Sequence, residues 1–481
     1  MSVAEYTPVA ARLQANLRAR ATGRMLAVVT CCAALLTALA CVTWLVLAAA
    51  ARPSVLSATA ERGHSTWVLG PLHGVLHAVA RNPHTLHTDL AVAIGVMGAA
   101  WLVAWIAAPA VPTWLIVGVL AVAHLLLFLG PPQPLTDIFN YLLYGRMAAH
   151  GLNPYLQLPL VARNDPAFIL SNWHHLKSPY GPLQTLLTQG LAPLSLHTAY
   201  WAWKAIVIGS SAATLGIIWW LARELGRSPQ RALVCVGLCP VVLAIGVGGF
   251  HNDSPAELCL LAAVACLVRG RQAGTGDRWA VAAGALAVAA AGLKPSFALA
   301  VPLVVLGARA RLPAIAGAAW ACAAVALVTW LVYGGALPDI AVQGALVSPS
   351  SIPNLAGLAA GHGGADAAVR GFAQHAVIAV AVVATVVVAR RRDLALSAVG
   401  IVLLATLFSL AWIVPWYLAW ALPFIALGRP AHFAPLVVVA VAWLGVSGLP
   451  VLPSVLHQFG YYPTRLATGE ANHSRLMVLV R

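Results

Sequence analysis

A carboxylate followed by two tyrosines in helical register is the first feature of this chain that could do chemistry: Asp137-Ile138-Phe139-Asn140-Tyr141-Leu142-Leu143-Tyr144-Gly145-Arg146. The segment follows a long apolar run, so Asp137 falls near a membrane edge. There a carboxylate is costly unless it is paired or faces a water-filled cavity. A carboxylate so placed could take a proton from a hydroxyl as a general base. Tyr141 and Tyr144 lie four and seven residues on, on the Asp137 side of a helix. A second reading fits equally: Thr136 or Asp137 caps an interfacial helix that carries aromatic anchors.

Four further segments hold polar groups. Asn153-Pro154-Tyr155 and Tyr180-Gly181-Pro182 are turns in which proline fixes φ and glycine frees it. They are either structural corners or a preformed wall, with Tyr155 and Tyr180 toward a polar ligand such as a sugar. The run Phe250-His251-Asn252-Asp253-Ser254, with Glu257 beyond it, is unusual in an apolar hairpin. It reads as a solvated loop capping the next helix, or as a ligand-binding loop in which Glu257 needs a partner. Lys294-Pro295 puts one ammonium between two apolar runs, to snorkel or to meet a phosphate. Pro415-Trp416-Tyr417, with Trp420, is an aromatic belt or one more wall of a site.

Other chemistries find little support. His73 and His77 have i, i+4 spacing, but no HExxH or DxD pattern occurs, so no metal site is assigned. A divalent metal is permitted without being indicated, and no organic cofactor is expected. No P-loop or dinucleotide fingerprint points to a nucleotide donor. The eight cysteines all lie in apolar runs, where they read as small hydrophobes rather than disulfides or thiolate ligands.

The elements that must position these residues are membrane spans. The 481 residues are 61% hydrophobic and only 9% charged, with mean hydropathy +0.86. Apolar runs near the ~20 residues needed to cross a bilayer recur along the chain. They fall near 25–50, 88–107, 112–131, 199–222, 232–248, 255–268, 279–293, 296–308, 312–333, 371–389, 394–412, 417–428 and 432–450. The expected fold is therefore an all-α polytopic membrane protein of about thirteen transmembrane helices. It is taken as one domain, 1–481, with long extracytoplasmic loops at 51–87, 132–198 and 334–370 and a tail at 451–481. The 334–370 loop, rich in Gly, Ser and Pro, has the composition of a mobile lid.

Arg12, Arg18, Arg20 and Arg24 precede a first run too long for a cleavable signal, which places the N-terminus in the cytoplasm. With that start, more than half of the 28 Lys and Arg fall in short cytoplasmic segments, among them Arg390, Arg391 and Arg392. The net charge of +15 is thus a topology signal that also suits membrane lipids, and nucleic acid is excluded as a partner. The motif-bearing loops face outward.

In their order, Asp137 to Tyr155, Tyr180-Gly181-Pro182, Gly249 to Asp253, Leu293-Lys294-Pro295 and Pro415-Trp416-Tyr417 resemble one family. It is the GT-C class of glycosyltransferases that use polyprenol-phosphate sugars, and within it the actinobacterial polyprenol-phosphate-mannose-dependent α-(1→6)-mannosyltransferases of lipomannan assembly. The resemblance covers about 130–430 and leaves both ends unmatched. It implies Asp137 as the base, with His251, Asn252 and Asp253 near the sugar or lipid phosphate and Lys294 near the phosphate. It also implies an inverting transfer from a polyprenyl-phosphate-mannose donor to a glycan or glycolipid acceptor at the cell membrane. The residues add that Lys294, Arg146 and His251 could stabilise a departing phosphate. Tyr141 joins the donor side, and Tyr155, Tyr180, Trp416 and Tyr417 the acceptor side or wall. Nothing here reads the sugar's stereochemistry, so arabinofuranose or another hexose is the alternative within enzymes. A lipid-linked sugar flippase is the alternative from another class, although its internal repeats and midplane charges are not visible.

Overall fold

The computed structural model describes residues 6–63, 65–135, 137–271, 276–339, 344, 346–428, 434–447 and 452–460, with the side chains of 6–21 and 452–454 left aside. Thr136, expected as a cap, Arg429 and the part of the expected 451–481 tail beyond Gly460 lie outside the described residues. The chain is 75% helical, and no strand occurs among the described residues.

The order is α1 Tyr6–Ala51, α2 Ala58–Gly63, α3 Pro83–Ala107, α4 Thr113–Leu129, α5 Asp137–Ala149, α6 Pro182–Gln189, α7 Leu196–Glu224 and α8 Pro229–Gly237. A π-helical turn, Val241–Val247, leads to α9 Asp253–Arg269 and α10 Gly276–Leu293. The 3-10 turn Pro295–Ala300 enters α11 Val301–Gly307, followed by α12 Arg311–Tyr333, α13 Ile352–Ala359, α14 Ala367–Arg390 and α15 Ala395–Ser409. A second 3-10 turn, Pro415–Trp420, precedes α16 Leu422–Leu427 and α17 Ala434–Ser447.

Every apolar run of the sequence is largely helical, and its ends carry the expected signals. Asn82 caps α3 ahead of Pro83, Ser195 caps α7, and Ser228 caps α8 ahead of Pro229. Among the described residues, six helices are long and apolar enough to cross a membrane: Thr22–Ala51, Pro83–Ala110, Leu196–Glu224, Arg311–Tyr333, Ala367–Arg390 and Arg392–Ser409. The α8 and π-turn pair is together long and apolar enough for a seventh, and is bent by 51° at its break, as a broken span or a re-entrant loop is. Other apolar runs expected as full spans form shorter helices, such as Thr113–Leu129, Pro295–Gly307 and Pro415–Leu427. The breaks before the last two fall at Lys294-Pro295 and at Pro415, where proline cannot continue a helix. Large apolar side chains on the outside, such as Trp320 and Phe372 at 78% exposed each, fit a lipid-facing surface.

The α10 and α12 axes come together where Gly284 rests on the backbone of Ala314 and Gly317 on that of Val281; a Cβ on either would collide. Small residues permit such close crossings between membrane helices. Within 334–370, expected as a lid, residues 346–366 are anchored. Ser348 donates to the Ile413 carbonyl at 2.7 Å and accepts from the Ile413 amide at 2.9 Å. Asn354 is fully buried and bridges Pro349 and Ala365.

The interior has two main apolar bodies. One runs through the long helices and ends in Trp416, Tyr417 and Trp420. The other gathers Phe139, Tyr141, Tyr144, Tyr180, Trp203 and Phe250 around α5 and the N-terminal half of α7. The polar motifs meet where these two bodies join.

Candidate active site

Asp137 opens α5, and both of its carboxylate oxygens are engaged. Asn140, three residues on, donates from Nδ2 to Oδ1 at 3.1 Å, and His251 Nδ1 lies 3.3 Å from Oδ2. Asn140 is fixed in turn by the loop before Tyr180, donating to Asn172 Oδ1 at 2.7 Å and accepting from the amides of Asn172 and Trp173. The Asp137 side chain keeps 13% of its surface open, against 1% for His251. A held carboxylate with one open edge is what a general base requires.

The Tyr141 hydroxyl lies one turn along α5, 3.3 Å from His251 Nδ1, and accepts from the Asn252 amide at 3.4 Å. Burial, followed by the Asp137 and Asp253 carboxylates, holds the Tyr141 phenol well above its ordinary pKa, so it stays protonated. The His251 ring lies flat on Trp416, with centroids 3.7 Å apart and planes 7° from parallel.

This hairpin is built by unusual backbone. After the π-helical turn, Gly249 lies so close to the His251 ring and the Ile245 carbonyl that a Cβ would overlap both. Phe250 takes φ 55°, a left-handed conformation that non-glycine residues adopt at some cost. Trp203 on α7 holds it there by donating to the Phe250 carbonyl at 2.9 Å. The sharp reversal points three consecutive side chains inward. His251 Nε2, both side-chain amide atoms of Asn252 and Asp253 Oδ2 are buried without a hydrogen-bond partner among the described residues. Such atoms are costly to leave unmet and imply a polar occupant, whether water or ligand.

Asp253 Oδ1 accepts from Lys294 Nζ and from Trp420 Nε1, each at 2.5 Å. Lys294 also lies 4.6 Å from the Tyr417 ring centroid and 5.0 Å from that of Trp420. The lysine expected at the outer interface is therefore 7% exposed and enclosed by a carboxylate and two aromatic faces. It does not snorkel, because the Pro295 break turns it into the bundle toward Asp253. Tyr417 stacks on Trp420 at 4.1 Å. Tyr180 packs edge-on against Tyr141 at 4.8 Å. The adjoining Gly181 sits directly on the Gly292 carbonyl, where no Cβ fits, and so docks the Tyr180 turn beside Lys294.

Two expected members stand elsewhere. Arg146 donates from Nε to both oxygens of Asp165, at 2.9 and 2.8 Å, and from Nη1 to the Ala192 carbonyl. It lies nine residues along α5 from Asp137, about 13 Å of rise. Its role here is to brace the 159–178 loop, because a carboxylate already occupies its fork. The Tyr155 hydroxyl lies 2.8 Å from that of Thr185, and its ring meets Tyr333, so the Asn153-Pro154-Tyr155 turn is a structural corner. Conversely, Asn140 and Asn172 belong to the cluster and had no role in the expected set, and Trp420, expected only as belt or wall, donates to Asp253. The i, i+3 spacing of Asp137 and Asn140 was a usable signal; Asn172 had none.

Residues 53–311 match the family model described as alpha-(1->6)-mannopyranosyltransferase, N-terminal domain. The chain is 28% identical over 183 residues to alpha-(1->6)-mannopyranosyltransferase A of Corynebacterium glutamicum, a match covering 37% of this chain and 36% of that protein. It is 30% identical over 156 residues to a probable alpha-(1->6)-mannopyranosyltransferase of Mycolicibacterium smegmatis, covering 30% of this chain and 27% of that protein. The matches thus span about a third of the length of these curated relatives. No solved structure matches the chain.

Proposed function

We infer the reaction from one premise: the chain belongs to the alpha-(1->6)-mannopyranosyltransferase family. The reading is a membrane mannosyltransferase that moves a mannosyl residue from polyprenyl-phosphate-mannose to a glycan or glycolipid acceptor. The observation that carries the mechanism is the Asp137 carboxylate, oriented by Asn140 and His251 yet open along one edge.

In this mechanism the acceptor hydroxyl gives its proton to Asp137 as its oxygen forms a bond to the mannosyl C1. The bond from C1 to the phosphate oxygen breaks, and its electron pair leaves with the polyprenyl phosphate. Attack from the face opposite the phosphate inverts the anomeric centre, giving an α product from a β-linked donor. His251 Nε2 and the Asn252 side-chain amide, which have no partner among the described residues, are available to the phosphate and sugar hydroxyls. Lys294 neutralises Asp253 and so keeps a second full negative charge away from the departing phosphate. Trp416, Tyr417 and Tyr180 supply the wall. The arginine clusters between apolar runs support an extracytoplasmic site in the cell membrane.

The test uses purified full-length protein in lipid nanodiscs with an α-mannoside acceptor and one donor at a time: polyprenyl-phosphate-mannose, polyprenyl-phosphate-arabinofuranose or a mannose nucleotide. A new α-mannoside from the first alone is the expected result. Transfer from the arabinose donor alone overturns the sugar assignment. Movement of lipid across a vesicle bilayer without a new glycoside overturns the enzymatic reading.

A further inference from the structure

Below the His251–Trp416 stack lies a polar cavity, enclosed by α4, α7, α8, the π-helical turn, α9 and the Pro415–Trp420 turn, that the transfer mechanism does not use. Its polar lining is His124, Ser211, Thr214, Asp253, Ser254 and Glu257. Glu257 is 5% exposed and has no hydrogen-bond or ion-pair partner among the described residues. Thr214, on α7, is 4% exposed and its hydroxyl has no partner among the described residues. Asp253 adds the free oxygen, Oδ2. His124 Nδ1 contacts the Leu120 carbonyl at 2.8 Å and must carry the proton there, so its Nε2 accepts from Ser211 Oγ at 2.9 Å. The lone pairs of Ser211 are left for the cavity. All the free groups are oxygens.

An independent feature lies at the same place. The cavity is lined by Val236 and Gly237 at the end of α8 and by Val242 and Leu243 just beyond, so it opens at the 51° break between the two helices. Helix C-termini carry partial negative charge, and broken membrane helices are where small cations are held. The charge count agrees. Lys294 pairs with Asp253, and no cation among the described residues pairs with Glu257. Among the described residues no three His, Cys, Asp or Glu side chains gather in a metal-binding group, so a divalent ion would lack the acidic ligands it favours.

We propose that this cavity is a binding site for one monovalent cation of sodium's size and hardness, held by Glu257, Asp253 Oδ2 and the hydroxyls of Thr214 and Ser211. One monovalent cation replaces the proton that a buried, unpaired carboxyl otherwise keeps, so the net charge does not change, whereas a divalent ion would leave an excess charge in the membrane interior. Because Asp253 belongs to both sites, the cation stiffens the base of the hairpin that carries His251.

The test does not depend on transfer. Full-length protein in detergent is melted across a sodium chloride titration, with choline chloride holding ionic strength constant. The melting temperature of wild type rises by about 2–5 °C as sodium saturates the site. Glu257→Gln and Thr214→Val each abolish the rise, and Thr214→Val serves alone if Glu257→Gln does not fold. Equal melting in sodium and choline, an undiminished rise in Thr214→Val, or stabilisation by magnesium or calcium chloride but not by sodium overturns the proposal. Failure of the mannosyl-transfer reading leaves this result unchanged.

Discussion

Removing the ammonium at residue 294 exposes how the hairpin is held. The Lys294 and Asp253 side chains are 9% and 5% exposed, and their charged atoms lie 2.5 Å apart. Lys294→Met keeps much of the stem's volume but leaves the buried Asp253 carboxylate with only the Trp420 N–H. Breaking a buried pair from one side typically costs about 3–5 kcal/mol, chiefly because the remaining charge stays desolvated. Asp253→Asn should cost less, about 1–3 kcal/mol, since its amide oxygen can still accept from Trp420 and Lys294 keeps its aromatic faces. The double variant removes both charges, and its loss should be near 1 kcal/mol. The coupling between the two positions is then at least about 2 kcal/mol. Melting curves of the four proteins in one detergent read this directly, with Lys294→Met lower by roughly 5 °C or more and the double variant largely restored. Additive losses, or a Lys294→Met protein as stable as wild type, would refute the reasoning that this pair is a mutually neutralising clamp.

Two further perturbations act from outside the site. Lys204 on α7 is fully buried and donates to the Gly130 carbonyl at 2.6 Å, while its ammonium lies 4.6 Å from the Phe250 ring centroid. Lys204→Met should cost about 1–3 kcal/mol through the orphaned carbonyl and lower kcat more than it raises KM, by loosening the strained Phe250 turn; unchanged kinetics would show the two to be uncoupled. His174 stacks on Phe168 at 3.8 Å and contacts its carbonyl, and burial, with smaller pushes from His175 and Arg62, depresses its pKa below 6.5. A depressed histidine contributes stability that is fully present above pH 6.5 and is lost as pH falls through the folded value. Amide exchange across residues 168–176 should therefore quicken as pH is lowered from 7.5 to 5.5, after correction for intrinsic rates, and His174→Phe should remove that trend; a trend surviving in His174→Phe would assign it to another group.

Much of this was legible in the sequence because membrane helices announce themselves locally. The apolar runs are properties of neighbouring residues, and so are signals that the sequence expectations did not use: the caps at Asn82, Ser195 and Ser228 and the proline breaks at Pro295 and Pro415. Asp137, Tyr141, His251, Asp253, Lys294 and Trp416 were selected as polar or aromatic interruptions of apolar sequence, and these do converge. Other relations depend on contacts distant along the chain. Arg146 looked like a phosphate ligand until Asp165 was seen to occupy it, and Tyr155 like a wall until Thr185 and Tyr333 enclosed it. The enclosure of Lys294 follows from Asp253 and Trp420, which no spacing connects to it. The contribution of Asn172 was equally unreadable, since it acts on Asp137 only through Asn140.

The central claim is that Asp137 is the base. Mannosyl transfer from radiolabelled polyprenyl-phosphate-mannose to an α-mannoside acceptor should be measured for wild type and Asp137→Asn, each first shown to melt normally. A general base contributes about 10²–10⁴-fold, so the account predicts that the folded variant retains about 1% of wild-type turnover or less. Transfer by Asp137→Asn within a few-fold of wild type would contradict it.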